Sequence, residues 1–386
     1  MRLKVLIGIS LISFVLSQAP ISAALIALEP EQGGVDYQIQ GEYTGKIETA
    51  IPFAAQVVAL GGGKFHAVFF PDGLPGAGWK GQNRSEVDGS LQGDTAVFSG
   101  SGFSASVAAD GLVFSGKTSA GEWFSLNKLS RKSPTLDAPA PAGAVILFDG
   151  KGVAAWKDGT ASMDNRQLFK PEGASASSGA ITKQAFKSFT MHLEFREPFM
   201  PEARGQRRGN SGIYLVGRDE LQIVDSFGAK LDDVTDTMAA KRECGAFFEY
   251  FRPSINMAFP PLAWQTYDIE FTSARYDAGG KTMLNPAIAT VKWNGVTVQE
   301  NRNLVYSTLL GDPQGSEAGP MRFQAYGDPV YYRNIWVTEG GSSIKRRLGG
   351  IKPSADESRQ LPVTWARLDG RRINDLEKIS MRIWGY

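Results

Sequence analysis

Three short stretches of this 386-residue chain carry side chains suited to recognising a polyol. RRGNSGIYLVGRDELQIVDSFG, at 207–228, sets Asn210, Glu220, Gln222 and Asp225 into two apolar runs joined by a turn at glycine. SFTMHLEFRE, at 188–197, alternates strictly. Phe189, Met191, Leu193 and Phe195 face one way, and Thr190, His192, Glu194 and Arg196 the other. MRFQAYG, at 321–327, offers Arg322, Gln324 and Tyr326. Sugar hydroxyls need fixed donors and acceptors, and amides and carboxylates supply both in planar geometry. Tyr214 and Trp264 add rings that can stack on a sugar face.

Each of these groups has a plainer reading. Polar residues at period two are what any solvated sheet face shows. Asn210, flanked by Gly209 and the Ser-Gly pair, can set a turn, since Asn tolerates left-handed backbone. Asp225 before Ser226 can cap the end of a strand. Arg196 can pair with Glu220 as a structural bridge. The amides favour function for the patch as a whole. Gln is a poor strand former, yet Gln222, Gln265 and Gln324 all lie in strand-like runs.

The elements that must position these residues are strands. Glycine is abundant, at 44 residues, and long helical periodicity is scarce. Residues 30–132 read as a small β domain of short alternating runs. VFSG occurs at 97–100 and again at 113–116, with an Asp110-Gly111 turn between them. His66 in this block reads as a packed or surface histidine. Residues 133–143, SPTLDAPAPAG, form a Pro/Ala linker. From 144 to 340 the pattern is β again, with Asn294-Gly295 as a two-residue hairpin signal, and a sandwich of two antiparallel sheets follows. The charged tail, 341–386, has no assignable role.

Composition excludes several classes. A net charge of +1 without a long basic run argues against a nucleic-acid partner. Two histidines exclude a His-rich zinc site and leave a carboxylate-led site open. Cys244, the sole cysteine, forms no internal disulfide and reads as a buried structural thiol rather than a nucleophile. Residues 1–24 read as a signal peptide: a basic Met1–Lys4, an apolar Val5–Leu16, and small residues at Ser22-Ala-Ala24. The expectation is an exported, periplasmic or secreted protein of a bacterium-like cell, with no membrane anchor after cleavage.

Residues 144–338 resemble the 3-keto-disaccharide hydrolase family. The matching segments run in order: ILFDGKGVAAWK, MHLEFREP, GNSGIYLVGRDELQIVDSFG, CGAFFEY, WQTYDIEF, VKWNGVTVQEN and GPMRFQAYGDPVYYRNIWV. The resemblance implies an all-β fold, a concanavalin-like jelly-roll sandwich, here preceded by the smaller β domain. It implies an exported enzyme cleaving the glycosidic bond of 3-keto-glycosides, with a small carbohydrate as its partner. A ketone at carbon 3 acidifies the hydrogen on carbon 2. A base can remove it, the group on carbon 1 leaves by β-elimination, and water adds back. Such a site needs a base, an acid for the leaving oxygen, and something to polarise the ketone. Carried over by position, His192 and Glu194 are candidate base and partner, and Glu220 is the candidate acid. Asn210, Gln222 and Gln324 would fix hydroxyls and the enolate oxygen, with Asp225, Arg196 and Tyr326 as further binding residues. No cofactor is required by the spacing, though a divalent cation at the ketone would suit oxygen ligands. One departure stands out: the family often has His where this chain has Tyr326. Two other readings compete. One is a conventional glycosidase, which wants two carboxylates at set separation. The other is a non-catalytic carbohydrate-binding protein.

Overall fold

The computed structural model describes residues 24–340, apart from 49, 82 and 232–236. The expected signal peptide as far as residue 23, and the tail from 341, lie outside the described residues. The regular secondary structure among the described residues is almost entirely antiparallel strand.

The first block is a closed eight-stranded barrel. Its strands are Gly41–Ile47, Ile51–Gly61, Lys64–Pro71, Ser85–Gln92, Thr95–Gly100, Phe103–Ala108, Val113–Lys117 and Trp123–Leu129. Each pairs with the next in sequence, and the last closes on the first, with Glu42 opposite Leu129 and Ile47 opposite Phe124. The interior is filled by Tyr43, Phe65, Phe69, Phe98, Phe114 and Phe124, all buried. The rings of Phe69 and Phe103 stack at 4.6 Å. An interior packed this way is a core.

The second block is the sandwich. Its larger sheet runs Ala161–Met163, Phe169–Pro171, Tyr331–Glu339, Phe189–Arg196, Gln265–Thr272, Ala287–Trp293, Val296–Leu304, with Val145–Phe148 also on Tyr331–Glu339. The smaller runs Gly179–Phe186, Gly319–Gln324, Ser211–Leu215, Asp219–Ile223. Asn294 and Gly295, at φ 49° and 79°, make the turn between two strands of the larger sheet, as the Asn-Gly pair predicts. Phe189, Met191, Leu193 and Phe195 from the larger sheet share one core with Ile213, Leu215, Leu221, Ile223, Met321 and Phe323 from the smaller. The alternate residues of both sets therefore point outward, from opposite sides of the sandwich. The free edge of Asp219–Ile223 is covered by residues 245–248. Gln222 donates to Ala246 (2.9 Å) and Phe248 to Glu220 (3.0 Å), both through backbone.

Barrel and sandwich form one compact unit. The strand Ile51–Gly61 is buried on both faces, because Val58 packs into the sandwich core while Val57 and Ala59 line the barrel. Arg131 fastens the end of the barrel. It bonds the buried Glu42 on the outer face of the barrel wall and the Pro75 carbonyl (2.7 Å), and lies over the Phe259 ring at 4.9 Å. The segment before the barrel crosses back onto the sandwich: Ala27 and Phe199 exchange backbone bonds at 2.9 Å, and the Leu25 amide donates to Glu202 at 3.2 Å. The expected linker is laid along the larger sheet. Thr135 donates to Asp268 (2.7 Å), and the Asp137 amide to Glu194 (2.6 Å).

Candidate functional site

The outward face of the smaller sheet is built in rows. Register sets Tyr214 opposite both Glu220 and Arg322, and Gly212 opposite Gln222. One residue further along, the antiparallel register puts Gly212 beside Gln324. One row therefore reads Arg322, Tyr214, Glu220, and the next Gln324, Gly212, Gln222. The gap at Gly212 has a physical reason: a β-carbon there would run into the Glu220 carboxyl, which leans over the bare backbone. Two glutamine amides flank that carboxyl.

Glu220 is buried, at 3% exposure. Its Oε2 lies 2.9 Å from the Tyr214 hydroxyl, while Oε1 has no hydrogen-bond partner among the described residues. Burial pushes its pKa up to about 8, with Glu249 adding repulsion, against the lowering pull of the Tyr214 hydrogen bond and Arg322. A carboxyl with a pKa near 8 holds its proton at neutral pH and gives it up without large cost, which suits proton transfer. Arg322 lies over the Tyr214 ring, 3.7 Å from its centroid.

The loop before Ser211 closes the other side. The side chain of Gln206 accepts from Gln222 Nε2 (2.6 Å), and its carbonyl accepts from Asn210 Nδ2 (2.8 Å). The Asn210 amide donates to Asp328 at 2.8 Å, which ties this loop to the Tyr326 turn. Asn210 Oδ1 and Arg322 Nε are buried without a partner. A buried acceptor and donor left open on the same sheet face are what a polar ligand would satisfy. Tyr326 stands at the rim, 40% exposed. Among the described residues no three His, Cys, Asp or Glu side chains gather as metal ligands would.

Of the residues singled out from the sequence, the structure thus brings Asn210, Glu220, Gln222, Gln324 and Tyr326 to one region. It sets the other four apart. His192 and Glu194 lie on the larger sheet and point away from the core on its far side, under the linker. His192 is stacked on Trp336 at 5.3 Å and bonded to Asp268 at 2.7 Å. Glu194 takes Arg333 Nε (2.6 Å), Asn334 Nδ2 (2.9 Å) and the Asp137 amide. Burial raises the Glu194 pKa, but its bonds to His192 and Asn334 and the charge of Arg333 outweigh this and leave it lowered. Burial likewise lowers His192, and its two acidic neighbours leave it raised. The expected base and its partner therefore do not share a site with Glu220, because the sandwich core stands between them.

Arg196 is also on that side. It pairs with Glu29 (2.8 Å), not with Glu220, and lies over Trp264 at 5.4 Å, which removes Trp264 from the sugar face as well. Asp225 lies past the strand end. Its Oδ1 caps the turn at the Phe227 amide (3.0 Å) and its Oδ2 meets Arg208 (2.5 Å) in a buried ion pair. Cys244 is buried beside the Tyr267 hydroxyl at 3.1 Å, the structural role expected of it.

Sequence reasoning missed Gln206 as the bracket of the loop and Gly212 as the space for Glu220. A glycine inside the run SGIYL signals close approach of something to the backbone. Nothing in the sequence marks Gln206.

Residues 143–338 match the family described as the 3-keto-alpha-glucoside-1,2-lyase-like domain. Three solved structures of provisionally named glycosyl hydrolases from Parabacteroides distasonis are similar to part of the chain. The first is 30% identical, covers 52% of this chain and 85% of its own, and has a TM-score of 0.45. The second and third are each 16% identical over 51% of this chain, covering 94% and 98% of theirs, with TM-scores of 0.35 and 0.34. No curated protein matches the chain. The match over residues 143–338 takes in every strand of the sandwich and both glutamines beside Glu220, and the chain belongs to the family of 3-keto-alpha-glucoside-1,2-lyase-like domains, a family of carbohydrate-active enzymes.

Proposed function

We propose that the protein cleaves the glycosidic bond of 3-keto-glycosides by elimination and hydration, on the outer face of the smaller sheet. The observation that carries this is the buried Glu220, poised near pH 8 between two amides, with Oε1 free of protein partners. In its ionised form Glu220 takes the proton from carbon 2 at Oε1. The C–H electrons pass into the ketone as an enolate. The carbon 1–oxygen bond then breaks, and the same proton goes from Glu220 to the departing oxygen. Addition of water across the enone completes net hydrolysis. Glu220 thus serves as base and then as acid. Gln222 and Gln324 hold hydroxyls or the enolate oxygen, Asn210 Oδ1 accepts a substrate hydroxyl, and Tyr326 borders the entrance.

A conventional glycosidase is the weaker reading. It needs a second carboxylate at set separation, and the acid that follows in the same segment, Asp225, is taken up by Arg208. The N-terminal pattern of Met1–Ala24 supports export, which mass determination of the mature N-terminus would check.

The decisive test pairs a 3-keto-glucoside with its unoxidised parent. Cleavage of the keto-sugar alone is expected, with solvent deuterium appearing at carbon 2. Cleavage of the parent alone would overturn the proposal.

A further inference from the structure

One hydroxyl beneath the site has more acceptors than protons. Tyr214 Oη lies 2.9 Å from Glu220 Oε2 and 2.9 Å from the Leu309 carbonyl oxygen. A phenol carries one proton, and burial keeps it in place by raising the Tyr214 pKa well above the usual tyrosine range. The carbonyl can only accept. When the phenol donates to Leu309, its contact with Glu220 is a hydrogen bond only if Glu220 is protonated and donates. When Glu220 is ionised, the phenol proton must turn toward Oε2, and the Leu309 carbonyl loses its donor. Arg322 holds the ring in this position. It lies 3.7 Å above it and donates through Nη2 to the next carbonyl, Leu310, at 2.7 Å.

We propose that Tyr214 is a two-position proton switch, held by Arg322, that sets how much of Glu220 stands as the carboxylate. In the parked state Glu220 Oε2–H donates to Tyr214, and Tyr214 donates to Leu309. In the armed state that proton has gone to solvent, Tyr214 donates to Oε2, and Oε1 is left as the base. Tyr214 is a positioning residue. It acts through Glu220, and the proposal rests on Glu220 being the proton-transfer group. The charged groups facing Glu220 are Arg322, two strands away across Tyr214, and Glu249, just past the covering segment and paired with Arg242 at 2.5 Å.

The test is a carbon-13 titration of the glutamate side-chain carboxyls in the full-length protein, with Glu220→Gln used to assign the resonance. The expected midpoint in the unaltered protein is about 8. In Tyr214→Phe the carboxylate loses its donor, and the midpoint should move up by about one pH unit. On the keto-sugar, kcat/KM at pH 7 should then fall roughly tenfold and recover as pH rises, because one unit of midpoint is one factor of ten in carboxylate. Arg322→Lys keeps the charge but loses the planar stack on Tyr214 and the bond to Leu310; it should move the midpoint the same way and gives a second reading should Tyr214→Phe fold poorly. An unmoved midpoint in both variants, or a Glu220 that titrates in the ordinary glutamate range, overturns the switch. The titration decides this whether or not a keto-sugar is turned over. A shifted midpoint without turnover would sink the proposed function and leave the switch standing.

Discussion

The two outer faces of the sandwich carry similar side chains and treat them oppositely. On the larger sheet, Glu194 is met by Arg333, Asn334 and a linker amide, and its pKa falls. On the smaller sheet, Glu220 has one hydroxyl partner and a bare oxygen, and its pKa rises to about 8. Both carboxyls are shut off from solvent and burial raises both, Glu220 the more because it is enclosed more deeply. Satisfaction widens the difference. A carboxylate given charged and amide donors stays ionised and fastens structure, whereas one given too few keeps its proton and can trade it. The first holds the linker to the sheet, and the second is the better candidate for chemistry.

The largest effect that can break this contrast is on activity. Glu220→Gln should lower kcat on a 3-keto-glucoside by about 10²–10⁴-fold, measured by steady-state assay. Glu194→Gln should leave kcat within a few fold, and equal losses in both would erase the distinction.

Stability should respond in the opposite sense. The folded pKa of Glu220 lies above its ordinary 4.5, so the folded state binds the proton more tightly, and stability falls as pH rises from about 4.5 to about 8. Glu220→Gln removes this loss. It should stabilise the protein by on the order of a few kcal/mol near pH 8 and by little at pH 4, read by urea unfolding at both. Glu194 has a lowered pKa, so its contribution is present above the ordinary glutamate value and is lost as pH falls through the folded one. Glu194→Gln should destabilise by about 1–3 kcal/mol at neutral pH, with the difference shrinking in acid.

Smaller effects sharpen the map of the site. Asn210→Ala and Gln222→Ala should raise KM more than they lower kcat, each by roughly tenfold, since each removes about one hydrogen bond to a hydroxyl. His192→Ala should leave KM unchanged. Tyr326→His should alter kcat/KM the least, by less than about tenfold, because a rim side chain 40% exposed makes weak contacts.

The sequence makes the strands legible and leaves their pairing hidden. Alternation in FTMHLEFR and ELQI correctly separates core from polar residues. It says nothing about which of two sheets a strand joins, so His192 and Glu220 look equally good as members of one site. The family motif carries the same ambiguity, since a buried structural carboxylate such as Glu194 sits in the motif beside the catalytic candidate. Asp225 is the milder case. Its place just past the strand suggests a cap, and the Phe227 amide shows it to be one, but its burial against Arg208 depends on a loop with no periodicity at all. The closure of the first block into a barrel is likewise invisible locally, since the contact of Gly41–Ile47 with Trp123–Leu129 joins residues some eighty positions apart.

The Leu25 amide reaches Glu202, one residue past the expected signal-peptide cleavage site at Ala24. Removal of a signal peptide after Ala24 would turn that nitrogen into an ammonium and the hydrogen bond into an ion pair. Secretion and folding would then share a step: the protease that releases the chain would also create the charge that clasps its first residues to the sandwich. A mature chain starting at Leu25 should melt slightly higher than one bearing an extra residue ahead of it, and equal melting would show that the new terminus adds nothing.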